Sequence, residues 1–178
     1  MWFVRPDGYN ASGSIHGLGH TVRVMTHALE LADVLDMCRW EREALGCAAM
    51  WHDIGRTDDA EDYFHGAKSA GKAVALGLHH AVEPQVYETA LYAITHHCGS
   101  EEYGERAAQG LGYYSRDGNA ERRREHIDPE AALRVFRVLK DADALDRVRL
   151  GDLNPDYLRF AESHGRVERA RQLLREQP

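Results

Sequence analysis

The chain has 178 residues, 43% of them hydrophobic and 29% charged, with a net charge of -7. That length predicts one soluble domain with a buried core, and the acidic balance argues against a broad surface for gripping nucleic acid while leaving room for a nucleotide held at a metal. Three cysteines without a close pairing motif suit a reducing, cytoplasmic setting, and the opening residues contain no apolar run that reads as a signal peptide or membrane span.

Up to about Ile15 the residues are rich in Gly, Ser and Asn and read as loop. From about His20, "HTVRVMTHALELADVL" places Val24, Ala28, Leu31 and Leu35 at helical spacing and predicts the first helix. A second helix runs through "REALGCAAMWHD" and is expected to stop at Gly55. The third, "HGAKSAGKAVALGLHH", is rich in small residues that permit close packing. Pro84 suits a first helical turn, and "PQVYETALYAITHH" turns Val86, Ala90, Leu91 and Ile94 inward. Residues 98–127 are glycine-rich, charged and without a steady period, so a long loop or lid is expected there. Asp128 and Pro129 form a cap and first-turn pair that opens a long helix through "EAALRVFRVLKDADAL". Asn154 and Pro155 repeat the device for a C-terminal helix over 154–178, interrupted at Gly165. A period of two persists nowhere. The predicted fold class is all-α: one domain over 1–178, a bundle of about six helices with its core over about 16–150.

Eleven histidines are the compositional oddity, and most fall in tight clusters. His52 and Asp53 close an apolar helical run, where an ionised carboxylate is costly to desolvate unless a charge or a metal compensates it. His20 opens the first helix, His65 opens the third, and His96 and His97 close the fourth. Asp141 and Asp143 lie in the fifth. Imidazoles and carboxylates at helix ends can converge at one end of a bundle. Such nitrogen and oxygen donors suit Mn, Fe, Co, Ni, Zn or Mg. A divalent cation is the expected partner of His52 and Asp53.

The order His20, His52–Asp53 and a late Asp resembles the HD-domain superfamily of metal-dependent phosphohydrolases. The resemblance runs from about His16 to Leu150 and is carried by "HGLGHTVRV", "HDIG" and "KDADALDRVRL". The family's late Asp sits in a Lys-x-Ala-Asp-x-Leu context, which maps onto Lys140, Ala142, Asp143 and Leu145. The resemblance therefore implies Asp143 as a ligand, Asp141 as an acceptor behind the ligands, and Asp146 behind them or on the helix surface. "HGAKSAG" and "ITHHCG" resemble the binuclear branch of the superfamily. That implies Asp53 bridging two ions, with His20, His52 and Asp143 on one and His65, His96 and His97 on the other. His16, one helical turn before His20, is an accessory candidate. His79 and His80 are fallback donors for the second ion, while His27, His126 and His164 read as structural or solvated. The Gly-Tyr-Pro signature of cyclic-dinucleotide phosphodiesterases is absent.

What the resemblance implies is hydrolysis of a phosphomonoester or phosphodiester, in a nucleotide or another small phosphorylated metabolite, by metal-activated water. Asp53 and His52 stand at the catalytic centre and two divalent ions are the implied cofactors. Arg56, directly after "HDIG", and Arg23, one turn beyond His20, are candidates to meet the phosphate. Glu61, Asp62 or an exposed histidine are candidates to protonate the leaving group. Two readings from other classes stay open: a di-iron oxygenase, and a non-catalytic nucleotide-sensing module. The expected partner is a small phosphorylated substrate, with no membrane and no extended nucleic-acid surface, and the chain is compatible with a homodimer.

Overall fold

The computed structural model describes residues 14–110 and 127–176, and every regular element among them is helical. In chain order these are α1 (Leu18–Val34), α2 (Arg39–Trp51), α3 (His65–Ala75), α4 (Pro84–His96), α5 (Glu101–Gly110), α6 (Pro129–Leu145), α7 (Ala161–His164) and α8 (Val167–Glu176). Short 3-10 turns occupy Leu78–Ala81, Asp146–Arg149 and Pro155–Tyr157. No helix among the described residues is long and apolar enough to cross a membrane.

Local chemistry sets several of these boundaries. Asp128 accepts hydrogen bonds from the backbone N–H groups of Glu130 and Ala131, and Pro129 fills the first turn of α6 as expected. Pro84 does the same for α4. At α2 the cap is Cys38, with Glu41 reaching back to accept from the Cys38 N–H at 2.9 Å. The third helix is shorter than expected. It ends at Ala75, the chain turns through Gly77 at a φ of 67°, and exposed His79 and His80 fall on the 3-10 turn that follows.

The core lies where α4 packs against α2, α3 and α6, and where α1 covers α2 and α6. Leu31, Leu45, Ile94, Phe136 and Leu139 are fully buried there. Each such side chain contributes about 1.5–3 kcal/mol by leaving water, so this centre dominates the stability of the bundle.

Further expectations are corrected. The segment 98–127 is not all loop: Glu101–Gly110 forms α5, while residues 111–126, where a lid was expected, lie outside the described residues. The glycine that suggested loop is a packing device, because a Cβ at Gly104 would meet the Phe136 ring at 2.7 Å. Around it, Ala108 is buried, the Tyr92 hydroxyl donates to Gly104 O at 2.5 Å, and Arg137 pairs with Glu101 and Glu105. The C-terminal segment is also not one helix. Asn154 and Pro155 open only the 3-10 turn, followed by an extended stretch, α7 and α8. The stretch is held by Asp141, which is fully buried and accepts from Arg159 N, Phe160 N and Arg159 Nη1 at 2.9–3.1 Å. Asp141 thus anchors the C-terminal segment rather than standing behind a metal ligand.

Under that segment sits His27, on α1 and fully buried. Neither of its ring nitrogens has a hydrogen-bond partner among the described residues. Burial depresses its pKa to about 4, against the pull of Asp146 and Glu30 and with the help of Arg166 and Arg169.

Candidate metal centre

The functional side chains gather where the ends of several helices meet. His52 and His97 are the C-terminal cap residues of α2 and α4, and both use the same local device. The last carbonyls of a helix lack intrahelical donors. His52 Nδ1 lies 2.8 Å from Ala49 O, and His97 Nδ1 lies 2.7 Å from Ile94 O. A carbonyl only accepts, so each Nδ1 carries the proton and each Nε2 presents a lone pair. His20, on the first turns of α1, is pinned likewise by a carboxylate, with Nδ1 2.8 Å from Asp146 Oδ2. His65, the first residue of α3, has Nδ1 2.5 Å from Asp62 O and 3.1 Å from Arg56 Nη2.

Those four imidazoles converge on Asp53. On one side, His20 Nε2 and His52 Nε2 are 3.0 Å apart, each 3.5 Å from Asp53 Oδ2, and Asp143 Oδ1 is 3.4 Å from His20 Nε2. On the other, His65 Nε2 and His97 Nε2 are 2.9 Å apart, and His65 Nε2 is 3.5 Å from Asp53 Oδ1. Ligands bound at about 2.0–2.2 Å are separated by roughly 3.0–3.5 Å in octahedral or tetrahedral shells. The separations here match, and the two oxygens of Asp53 face different imidazoles, Oδ2 those of His20 and His52 and Oδ1 that of His65. The donors therefore fit divalent cations, and His20, His52, Asp143 and the groups around His65 and His97 are the residues able to hold them.

The electrostatics carry the same message. Burial works against charge on Asp53, yet the His52 charge and the hydrogen bonds from His16 and His20 hold its pKa well below the ordinary value. Burial would raise Asp143, but the charges of His20, His52 and His97 bring it below the usual value as well. Burial also opposes charge on His20, and bonds to Asp146 and Asp53 together with Asp143 overcome it, lifting the pKa to about 9. His97 moves the other way, to about 3, through burial and the charges of His52 and His65. Two carboxylates held below their ordinary pKa thus lie among crowded imidazoles, a set whose charge a dication would balance.

Of the ligand candidates, the structure brings together His20, His52, Asp53, His65, His97 and Asp143. It does not bring His96 in. That ring lies against Tyr92 and Tyr103, with centroids at 4.9 and 5.4 Å. Residues 96 and 97 are about 100° apart on the helix, so only one of them faces Asp53. His16 does join, with Nδ1 2.8 Å from Asp53 Oδ2. Cys98 lies near His65 and His97, though its thiol donates to Tyr63 O at 3.3 Å. Both arginines are buried and committed to carboxylates: Arg56 Nε to Asp53 Oδ1 at 3.1 Å, Arg23 Nε to Asp146 Oδ1 at 2.6 Å. Neither is the free phosphate contact expected of it. Asp62 pairs with Lys68 at 2.7 Å, which holds it below its ordinary pKa and unsuited to donate a proton, and Glu61 accepts from the Tyr63 hydroxyl.

Asp146 is the residue whose importance sequence reading underrated. It is fully buried, not on the surface, and its signal lies in helical spacing. Positions 143 and 146 share a face of α6, whereas 141 falls on the other side. Lys140 also emerges, donating to His97 O at 2.8 Å and Gly99 O at 2.5 Å, so it clamps the end of α4 beneath the site. Burial, with Arg159 nearby, lowers its pKa to about 8.

Residues 17–148, most of the chain, match the family model described as HD domain. No curated protein and no solved structure matches the chain.

Proposed function

Because the chain belongs to the HD domain family, whose members are mostly metal-dependent hydrolases, we propose that it is a metal-dependent phosphohydrolase with a binuclear centre. In this reading it cleaves a phosphomonoester or phosphodiester in a nucleotide or another small phosphorylated metabolite. One observation carries the proposal: Nε2 atoms of His20, His52 and His65 lie 3.5 Å from the oxygens of Asp53, and His97 Nε2 lies 2.9 Å from His65 Nε2, separations suited to metal ligands. Lone pairs at such distances repel unless protons or cations lie between them, and buried carboxylates need compensation of the same kind.

Divalent ions bound there would supply Lewis acidity and a water that ionises near neutral pH. The chain's own residues orient and shield. Asp53 holds the two donor groups in register through its two oxygens, with Arg56 fixing Oδ1 and His16 fixing Oδ2. Asp143, whose side chain is 37% exposed against 1–11% for His20, His52, Asp53 and His65, is the donor beside which substrate and water would enter. With Arg56 and Arg23 engaged by carboxylates, the ions themselves would provide most of the positive charge that meets a phosphate.

Metal analysis of the purified protein, followed by phosphomonoester, phosphodiester and nucleotide panels with Mn, Fe, Co, Ni, Zn or Mg added back, tests the reading. About two ions per chain and phosphate release with at least one ion are expected. A coloured, iron-rich protein that consumes oxygen without releasing phosphate would replace it with the oxygenase. Nucleotide binding without turnover under every ion would replace it with the sensing module.

A further inference from the structure

We infer that Asp146 is the positioning residue of the first metal position: it fixes which nitrogen of His20 meets the ion, and thereby sets how tightly that ion is held. The inference rests on the metal-centre reading above. Asp146 sits one turn after Asp143 at the end of α6, so a single helix end supplies an oxygen to the centre and a second carboxylate behind it.

The contacts of Asp146 account for both oxygens. Oδ1 accepts from Arg23 Nε at 2.6 Å, and Oδ2 accepts from His20 Nδ1 at 2.8 Å and Arg23 Nη2 at 3.2 Å. Arg149 Nη1 lies 3.3 Å from Oδ2 and donates to the Asp146 carbonyl at 3.1 Å. Arg23 meets both oxygens and Arg149 approaches Oδ2, so the carboxylate is held against His20 Nδ1 as an acceptor. With Nδ1 turned to Asp146, Nε2 is the nitrogen left to meet an ion, and it is Nε2 that faces His52, Asp53 and Asp143.

The same cluster reaches the loop before α1. Arg149 Nε donates to Ile15 O at 3.1 Å, adjacent to His16, whose ring holds Asp53. Carboxylates behind metal-bound histidines fix the tautomer and raise basicity, and their loss typically weakens metal binding ~10- to 100-fold. Arg23 accordingly serves the site from behind, through Asp146.

The test is a competition titration of metal-free full-length protein with Co(II) against a chromophoric chelator. It compares wild type, Asp146→Asn, His20→Ala and the double variant. Asp146→Asn is expected to weaken the first ion ~10- to 100-fold with His20 present, and by less than about twofold in the His20→Ala background. An unchanged affinity, or an equal loss in both backgrounds, overturns the inference, because a purely structural role would not depend on His20. Should Asp146→Asn fail to fold, nitrogen-15 spectra of the zinc-loaded wild type decide: His20 is expected with Nδ1 protonated and Nε2 ligated, and the reverse assignment overturns it. Wild-type protein that takes up no Co(II) or Zn(II) would sink the metal reading itself, whereas tight binding indifferent to Asp146 sinks this inference alone.

Discussion

Acidification should destabilise this protein through one residue outside the set of metal-ligand candidates. His27 is fully buried, and its ring nitrogens lack hydrogen-bond partners among the described residues. Folding therefore favours its neutral form, with a pKa of about 4 in the folded chain against 6.5 for an ordinary histidine. The sign follows from proton counting. Between those values the unfolded chain binds a proton that the folded chain refuses, so the stability linked to His27 is intact above about pH 6.5 and drains away as pH falls towards 4. At ~1.4 kcal/mol per tenfold change in proton activity, the full difference amounts to about 3 kcal/mol, a large share of a typical net stability. The assay is urea unfolding at half-unit steps from pH 7.5 to pH 4 on wild type and His27→Leu, in which a side chain of similar bulk cannot ionise. Other groups titrate in both proteins, so the difference between the curves isolates His27. That difference should grow by about 1 kcal/mol per pH unit below pH 6.5 in favour of the variant. Parallel curves would show that His27 accepts its proton without penalty, and the reasoning from burial would be wrong.

Other substitutions probe the centre directly. Asp53→Ala should strip most metal and abolish activity while leaving the far-ultraviolet circular dichroism near wild type; collapse of the fold with metal retained would make the residue structural. His97→Ala is expected to lose about one ion of two, whereas His96→Ala should keep both ions and instead lower the thermal midpoint by a few degrees through its tyrosine contacts, as metal analysis and calorimetry would reveal. At Gly66 a Cβ would meet Ile94 O at 2.4 Å, so Gly66→Ala should push α3 off α4 and cut activity at least ~10-fold, with the second ion lost first. Equal loss of both ions in that variant would contradict the division of the donors into two groups.

The sequence made the frame of this site legible because its signals are local. Pro84 and the Asp128–Pro129 pair mark helix starts by chemistry that needs no tertiary contact, and the structure keeps both. The donors His20, His52, Asp53 and Asp143 stand in short motifs with few other roles for such residues. What stayed hidden depends on neighbours distant in the chain. Gly104 signals loop unless Phe136 is known to lie against it. His96 and His97 are equivalent on paper, and only the direction in which α4 ends separates them. Asp141, Asp143 and Asp146 crowd one short stretch, and their three roles (anchor, ligand candidate, support) follow from which side of α6 each occupies. Arg23 and Arg56 illustrate the limit most clearly: charge and position suggest a phosphate, but nearby carboxylates had already engaged them.

The two halves of the donor set have very different histories along the chain. His65 and His97 are 32 residues apart, on helices that follow one another with only a short turn between, whereas Asp146 reaches back across 126 residues to hold His20. Closing the shorter loop costs less entropy and takes both imidazoles from α3 and the end of α4, so the α3–α4 half would be the first offered to a metal, before Lys140 of α6 clamps the end of α4. An ion captured there would act as a clasp during folding, docking α3 early and leaving the remaining half to be completed by the last long helix. Refolding of the metal-free chain should then lag in α3 specifically, as pulsed hydrogen exchange would record, and scarcity of metal would be felt during the birth of the protein as well as in its turnover.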